Sequence, residues 1–247
     1  MISKSHTKDI QSLQHKKFRD EANRFIAEGP KVVMELLADR NFVCHEVFAL
    51  SGWLNENAAL QQKYRDTVVE EVKDFELEKI SALTTPNQVL AVFEKAAEPG
   101  GLDPKGCITL ALDAIQDPGN MGTLIRIADW FGVKQMVCSM DCVDQYNPKV
   151  VQGSMGSLGR VKMIYTHLAD WIQDNKHVKS YGAAMKGTDI QTMPAMKEGI
   201  IIIGNEAHGI SGDVMDCIQE TITIKRKGKA ESLNAAVAAG IILSQLT

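Results

Sequence analysis

The sequence predicts an α/β protein built from two domains. Short apolar runs alternate with segments of helical character along the chain, which is the pattern of strands and helices packed in layers. Residues 96–104 interrupt this alternation with two prolines and two glycines, the composition of a linker. Several apolar runs beyond the linker are continuous, as expected for parallel strands buried on both faces.

The first domain is predicted to begin with a helix over residues 8–28, which ends at Gly29-Pro30. Further helices are predicted over 31–39, 55–65 and 74–81. Strands are predicted over 47–50, 67–69 and 89–93. We place this domain at residues 1–94, a linker at 95–106 and the second domain at 107–247.

The second domain opens with Ile108–Leu112, a continuous apolar run that predicts a buried strand. Apolar residues at helical spacing predict a helix over Thr123–Phe131. Further strands are predicted over 135–138, 161–164, 180–184, 200–203 and 221–224. Ser232–Leu246 predicts a final helix that is apolar almost all round and therefore buried. Its small residues would permit close approach of another helix, either in a dimer or within one subunit.

The composition indicates a globular protein, with 45% hydrophobic and 23% charged residues among 247. No apolar run is long enough for a transmembrane helix, and the N-terminus lacks the apolar stretch of a signal peptide. We therefore expect a cytoplasmic protein with no membrane partner. The five cysteines are odd in number and form no Cys-x-x-Cys, so we expect neither a disulfide framework nor a metal site.

The formal net charge of −4 argues mildly against a nucleic-acid binder. Two clusters of cations offset this argument. They are Lys4, Lys8, Lys16, Lys17 and Arg19 near the N-terminus, and Lys225, Arg226, Lys227 and Lys229 near the C-terminus. Each cluster could contact phosphates, and an ordinary solvated face is an equally good explanation of either one.

A first candidate site segment, Asp117–Ala128, follows a buried strand and opens a helix. Ligands of open α/β sheets bind at the carboxyl ends of strands, so this loop is well placed for a site. Gly119 and Gly122 would allow tight turns, and Arg126, about one turn into the helix, could reach back over the loop. A plain turn with an exposed arginine is the alternative.

A second segment, Ile200–Ser211, is again a strand followed by a glycine-rich loop, with Gly-x-Glu-x-x-Gly at Gly204, Glu206 and Gly209. Glu206 stands where a dinucleotide-binding loop has glycine. Its carboxylate would repel a pyrophosphate, so the loop better suits a ligand with hydroxyls or a cationic centre. Many α/β turns share this pattern.

A third segment, Thr221–Ala238, is a strand that ends in a basic loop before a helix. Ser232 is a plausible N-cap for that helix. Asn234 is predicted just inside the helix, where asparagine has no propensity advantage. A polar residue there, on an otherwise apolar helix, favours a role in a site.

In this order, the three segments resemble the signature motifs of the SpoU (TrmH-type) RNA methyltransferases of the SPOUT superfamily. The first resembles Asn-x-Gly-x-x-x-Arg-x-Ala, the second Gly-x-Glu-x-x-Gly and the third a Ser-Leu-Asn helix start. Gly153–Arg160 and Phe25–Gly29 are also similar to stretches of the family. The resemblance implies a C-terminal trefoil-knot methyltransferase domain and a small N-terminal α/β domain, similar to a ribosomal protein, that binds substrate.

The resemblance also implies S-adenosylmethionine as cofactor, RNA as substrate and a homodimer formed through the C-terminal domain. The implied catalytic residues are Asn120, Arg126, Glu206, Ser232 and Asn234. The implied cofactor-binding residues are Gly204, Glu206, Gly209, Ile224 and Leu233. The ribosomal-protein-like domain favours 23S rRNA over tRNA by analogy.

The chain departs from the family at Ile224–Gly228, where Lys225-Arg226-Lys227 replaces the usual Pro-Met before the glycine. This departure could weaken the cofactor site or add a phosphate contact. Two other functions therefore stay open: a non-catalytic RNA-binding or ribosome-assembly protein on the same fold, and a nucleotide-dependent metabolic enzyme. The absence of Gly-x-Gly-x-x-Gly and of a P-loop argues against the latter.

Overall fold

A computed structural model describes residues 2–247, except for the side chain of Gln61. The chain forms two compact units. The first comprises the chain up to Ala97 together with Asp144–Gly159, and the second comprises Glu98–Val143 and Arg160–Thr247. Each unit contains a β-sheet with helices, so the predicted α/β class is confirmed.

The elements follow one another without long gaps. The α-helices are α1 Lys4–Ser12, α2 Lys16–Ala22, α3 Pro30–Ala38, α4 Ser51–Glu56, α5 Leu60–Lys63, α6 Asp74–Ile80, α7 Pro118–Trp130, α8 Pro148–Ser154, α9 Leu168–Asp174, α10 Gly212–Met215 and α11 Ala235–Leu246. The strands are β1 Arg24–Glu28, β2 Cys44–Ala49, β3 Val68–Glu71, β4 Val89–Glu94, β5 Ile108–Leu112, β6 Gln135–Ser139, β7 Lys162–Thr166, β8 Ser180–Asp189, β9 Gly199–Ile203 and β10 Glu220–Thr223. Within residues 2–247, no helix is long and apolar enough to cross a membrane.

The first unit is built on a four-stranded mixed sheet in the order β1-β4-β2-β3. The β1–β4 and β2–β4 pairs are antiparallel and the β2–β3 pair is parallel. Ile26, Phe48 and Leu90 from this sheet are buried in one cluster with Leu77 and Ile80 of α6. Apolar burial of this kind supplies the main driving force for folding the unit.

The predicted single helix over residues 8–28 is wrong, because the helix breaks between α1 and α2 and Arg24–Glu28 is strand β1. Asn23 adopts a left-handed conformation (φ 52°) that ends α2. Residues Phe25–Glu28 of β1 are all buried, and β1 pairs along its whole length with β4. Pairing within the sheet therefore overrode the helical pattern. The predicted helix over 55–65 is also interrupted, between Glu56 and Leu60.

Arg19, which the sequence grouped with exposed cations, is instead buried, with 1% of its surface exposed. Its Nε and Nη2 atoms donate to the Asp144 carboxylate at 3.0 and 2.5 Å. Its Nη1 atom donates to the carbonyl oxygens of Leu13 and Gln14. This arginine therefore joins Asp144–Gly159 to the N-terminal helices and is not available to contact phosphates.

The second unit contains a six-stranded sheet in the order β10-β8-β9-β5-β6-β7. Every pairing in it is parallel. The central strands are buried along almost their whole length, as the continuous apolar runs predicted. Because all six strands run the same way, their carboxyl ends lie at one edge of the sheet.

Strand β8 carries a bulge at this edge. Gly182 pairs with Thr221 of β10, but the next pairs are Thr188 with Ile222 and Asp189 with Thr223. Residues 183–187 therefore lie outside the ladder between two regular stretches of pairing. Gly187 closes the bulge against β10, where a Cβ atom would come within 2.4 Å of the Thr221 carbonyl oxygen.

Two helices of the second unit begin at places other than those predicted. Helix α7 begins at Pro118 and not at Thr123, because the Asp117 side chain accepts a hydrogen bond from the Asn120 amide. Helix α11 begins at Ala235, and Asn234 is its N-cap. Asn234 Oδ1 accepts from the amides of Ala236 and Val237, so Ser232 does not cap the helix.

Candidate active site

The three sequence segments follow β5, β9 and β10, which end at the same edge of the parallel sheet. Ligand sites of open α/β sheets lie outside the carboxyl ends of the strands. Because β8 lies between β10 and β9, its bulge at residues 183–187 is placed between the loops that follow those two strands. The sequence did not single out the bulge, because its five residues form no recognisable pattern.

Buried polar contacts connect the loop after β5 to the loop after β9. The carboxylate of Asp113, which is 4% exposed, accepts a hydrogen bond of 2.6 Å from the Ser211 amide. Asn205 Nδ2 donates to the carbonyl oxygen of Ala114 at 2.9 Å. Ala114 has a φ of 55°, which is uncommon for a residue other than glycine. The sequence analysis did not predict a role for Asp113 or Asn205. Asp113 directly follows the buried run Ile108–Leu112, and Asn205 directly follows Gly204.

The Gly-x-Glu-x-x-Gly loop is a tight turn held by its own backbone. Asn205 and Gly209 exchange amide-to-carbonyl hydrogen bonds of 2.9 and 2.8 Å. A Cβ atom on Gly204 would approach the carbonyl carbon and oxygen of Gly209 to 2.4 Å, so a side chain does not fit there. Gly209 has a φ of +72°, a conformation that favours glycine. The two glycines therefore shape the loop that presents Glu206.

A continuous chain of side-chain hydrogen bonds joins all three segments. Asn234 Nδ2 donates to Asn120 Oδ1 at 2.8 Å, and Asn120 Nδ2 donates to a carboxylate oxygen of Glu206. Asn120 and Glu206 are partly buried and Asn234 is exposed. A donor that faces a carboxylate makes a stronger hydrogen bond than one between neutral groups. The fold thus brings together three of the five residues expected to act in catalysis.

The other two lie apart from this chain of hydrogen bonds. Arg126 is exposed and is the ninth residue of α7, so it lies a little over two turns from the start of the helix and not about one, as expected. Within residues 2–247 neither Arg126 nor Ser232 forms a side-chain hydrogen bond or ion pair. Both side chains are therefore free to contact a ligand.

The segment between β10 and α11 is open along its length. Leu233 has 45% of its surface exposed, and Ile224 is partly exposed. In the described part of the chain, no backbone-to-backbone hydrogen bond involves residues 225–233. Small-molecule sites combine apolar side chains with a few polar groups such as backbone amides and carbonyls, and this segment offers both.

The cysteines form no disulfide in the described part of the chain. All five cysteines are free thiols. Burial raises the pKa of the Cys44 thiol to about 12. Among residues 2–247, no group of three or more His, Cys, Asp or Glu side chains is arranged to hold a metal ion.

Solved structures that share this all-parallel sheet identify the fold as that of the SPOUT-type α/β methyltransferases. A TrmH-family structure from Porphyromonas gingivalis superposes with a TM-score of 0.87 at 33% identity, covering 100% of this chain and 98% of that one. An AdoMet-bound rRNA methyltransferase from Sinorhizobium meliloti superposes with a TM-score of 0.87 at 28% identity, covering 100% and 96%. The predicted fold class is confirmed.

The chain belongs to the SpoU rRNA methylase family, whose model matches residues 107–244. A model of the MRM3-like substrate binding domain matches residues 4–91. The 23S rRNA (guanosine(2553)-2'-O)-methyltransferase RlmP of Bacillus subtilis is 30% identical over 245 residues, covering 97% of this chain and 94% of the relative. The protein is therefore an RNA 2'-O-methyltransferase that uses S-adenosylmethionine, as the three motifs predicted.

Proposed function

We propose that this enzyme methylates a ribose 2'-hydroxyl of 23S rRNA. The alignment with the Bacillus relative supports this substrate, because it extends through the substrate-binding region as well as the methyltransferase region. A Synechocystis relative with 27% identity over 96% of this chain is named as a tRNA/rRNA methyltransferase, so tRNA is the second candidate.

The chain of hydrogen bonds from Asn234 through Asn120 to Glu206 is the observation that carries the proposed active site. S-adenosylmethionine, when bound, supplies an electrophilic methyl group. The open segment after β10 fits this cofactor, because Ile224 and Leu233 offer apolar contact and the adjacent backbone offers polar atoms. The tight turn of Gly204 and Gly209 completes the proposed cofactor site beside Glu206.

We assign Arg126 to the ribose hydroxyl as an electrostatic group. A guanidinium does not readily lose its proton, so Arg126 would stabilise the developing alkoxide, and a substrate phosphate would accept the hydroxyl proton. Asn120, Asn234 and Ser232 would orient the ribose and Arg126. Glu206 would hold Asn120 in place.

Methylation mapping tests the substrate. Ribose 2'-O-methyl positions are mapped in rRNA and tRNA from cells with and without the gene, and purified enzyme is then given each unmodified RNA with tritiated S-adenosylmethionine. A 23S position that is lost with the gene and restored by the enzyme supports the proposal. A lost tRNA position, with 23S rRNA unchanged, would overturn it in favour of tRNA.

Substitution of Arg126 tests the proposed chemistry. Arg126→Ala should abolish methyl transfer, whereas the affinity for S-adenosylmethionine in calorimetry should stay within a few-fold of the wild-type value. Arg126→Lys, which keeps a positive charge, should retain part of the rate. Near wild-type transfer by Arg126→Ala would show that another group stabilises the alkoxide.

We also propose a homodimer formed through the second domain. Helices α7 and α11 line an open groove of about 640 Å³, in which Trp130 is 82% and Val237 is 50% exposed. Exposed apolar groups that cluster along one groove mark an interaction surface more often than scattered ones do. The groove also reaches Asn120 and Asn234, so a second copy bound there would lie beside the proposed active site.

Sedimentation at micromolar concentration tests the dimer. The wild-type protein should sediment as a dimer, and Val237→Glu should sediment as a monomer. Met140→Glu is the matched control, because Met140 is 60% exposed and does not line the groove. Dissociation by both variants, or by neither, would place the interface elsewhere.

For the domains we keep the boundaries of the sequence as our proposal, namely residues 1–94, a linker at 95–106 and residues 107–247, although Asp144–Gly159 belongs to the first compact unit. The two family models, at 4–91 and 107–244, support them. We further propose a cytoplasmic location, because an enzyme that modifies ribosomal RNA acts where ribosomes are assembled.

A further inference from the structure

A second binding surface lies on the loop between β10 and α11. Four of the five residues from 225 to 229 are cations, namely Lys225, Arg226, Lys227 and Lys229, and all four are exposed. Glu231 offsets one of these charges, so residues 225–231 carry four positive charges and one negative charge, a sum of +3 in a chain whose net charge is −4. The loop therefore concentrates positive charge in an otherwise acidic protein.

Of these four cations, one forms a hydrogen bond within the loop itself. Arg226 Nη1 donates to the carbonyl oxygen of Ala230 at 3.3 Å, which draws the loop back on itself. Within the described residues 2–247, the three lysines of the loop form no ion pair or side-chain hydrogen bond. Long cationic side chains held in solvent beside a site are available to an anionic ligand.

The loop is continuous with the proposed active site. Asn234, five residues after Lys229, forms the hydrogen bond to Asn120. On the neighbouring strand β8, Lys186 is exposed within the bulge at residues 183–187, at the same edge of the sheet. The edge that carries Glu206 and Asn120 is therefore flanked by a basic loop and one further cation.

We propose that the basic loop, residues 225–229, binds the phosphate backbone of the RNA next to the ribose that is methylated. The cofactor does not account for these charges, because S-adenosylmethionine carries a cationic sulfonium and no phosphate. A polyanion is the complementary partner, and its affinity would arise largely from the release of counterions. This proposal rests on the proposed function, since it assigns a contact to the substrate of that same site.

The salt dependence of RNA binding provides the test. The triple variant Lys225→Gln, Lys227→Gln and Lys229→Gln removes three charges and keeps Arg226, whose hydrogen bond shapes the loop. For single-stranded contacts, the slope of log affinity against log salt should fall by about 2, and affinity for an unmodified 23S rRNA transcript should fall about 50-fold at 0.15 M salt. The dissociation constant of S-adenosylmethionine should stay within about twofold of the wild-type value.

Two further variants control for net charge and for folding. Lys105→Gln, Lys134→Gln and Lys176→Gln remove the same charge from exposed lysines that precede β5, β6 and β8, at the opposite edge of the sheet. This variant should keep the wild-type slope to within about 0.5. Lys225→Arg, Lys227→Arg and Lys229→Arg should keep both slope and affinity, because the charges remain.

Binding and methyl transfer are measured separately, so the two proposals can fail independently. Wild-type protein that binds RNA but methylates no position would overturn the proposed function. An unchanged slope in the Lys→Gln loop variant would overturn the phosphate contact, even if the enzyme is fully active. Equal losses from both Lys→Gln variants, or a matching loss of S-adenosylmethionine affinity, would also overturn it.

Discussion

Substitution of Asn120 examines the hydrogen bonds that join the three motifs. In Asn120→Ala, Glu206 and Asn234 both lose their side-chain partner. A hydrogen bond to a charged group is worth about 1.5–3 kcal/mol, and the partial exposure of the site favours the lower end. A loss of about 1.5 kcal/mol in the transition state corresponds to a roughly tenfold lower kcat/KM.

The isosteric variant Asn120→Asp should be more damaging than the smaller alanine. Its carboxylate still accepts from Asn234, but its second oxygen replaces the amide that faces Glu206. Two unit charges about 4 Å apart repel by about 1 kcal/mol in water and about 4 kcal/mol near a protein surface. Even the lower figure places Asn120→Asp about fivefold below Asn120→Ala.

The assay is the initial rate of methyl transfer from tritiated S-adenosylmethionine to unmodified 23S rRNA at pH 8, where both carboxylates are ionised. Calorimetry with the cofactor separates binding from chemistry. If Asn120→Asp matches or exceeds Asn120→Ala at pH 8, Glu206 does not act through this amide and the reasoning fails.

Three further predictions concern the first unit. Asp144→Asn leaves the Arg19 guanidinium buried without its carboxylate partner. The free energy of unfolding should therefore fall by about 3 kcal/mol and Tm by about 6–12 °C. A decrease in Tm of less than about 2 °C in calorimetry would contradict this. Burial raises the pKa of the Cys44 thiol to about 12, so iodoacetamide at pH 8 should leave Cys44 unmodified in the native protein. Cys107 should react under the same conditions, and peptide mass spectrometry would measure both modifications. Burial also raises the pKa of Glu28 above its ordinary 4.5, so the folded state holds that proton to higher pH than the unfolded state does. The Tm of the wild-type protein should therefore fall relative to that of Glu28→Gln as pH rises from 4.5 towards neutrality, and a Tm difference that does not vary with pH would show that Glu28 is not involved.

The sequence was most informative where burial alone determines structure. Ile108–Leu112 and the run at 200–203 are apolar throughout, and both are central parallel strands. Prediction failed where a distant partner decides the outcome. Arg24–Glu28 looks helical until β4, more than 60 residues later, pairs with it. Arg19 looks like a surface cation until Asp144 supplies its carboxylate.

In the candidate site, too, the sequence predicted individual residues but not the contacts between distant ones. The three motifs identified Asn120, Glu206 and Asn234, but not their hydrogen bonds, because the order of strands in the sheet brings them together. Asn234 was interpreted as a polar residue within a helix, whereas it is the N-cap and also donates to Asn120. One side chain therefore both starts α11 and contributes to the site, and single-residue propensities do not predict such a double role.

The first unit is built from two separate stretches of the chain, and this affects its folding during translation. The first stretch ends at Ala97 and the second at Gly159, 62 residues later. At about 5–20 residues per second, a ribosome takes roughly 3–12 s to cover that distance. During that interval it synthesises β5, α7 and β6. Until Asp144 is synthesised, the Arg19 guanidinium lacks the carboxylate that accepts its hydrogen bonds. The first unit therefore gains its last segment only after β5 and β6, two of the six strands of the parallel sheet, have been translated.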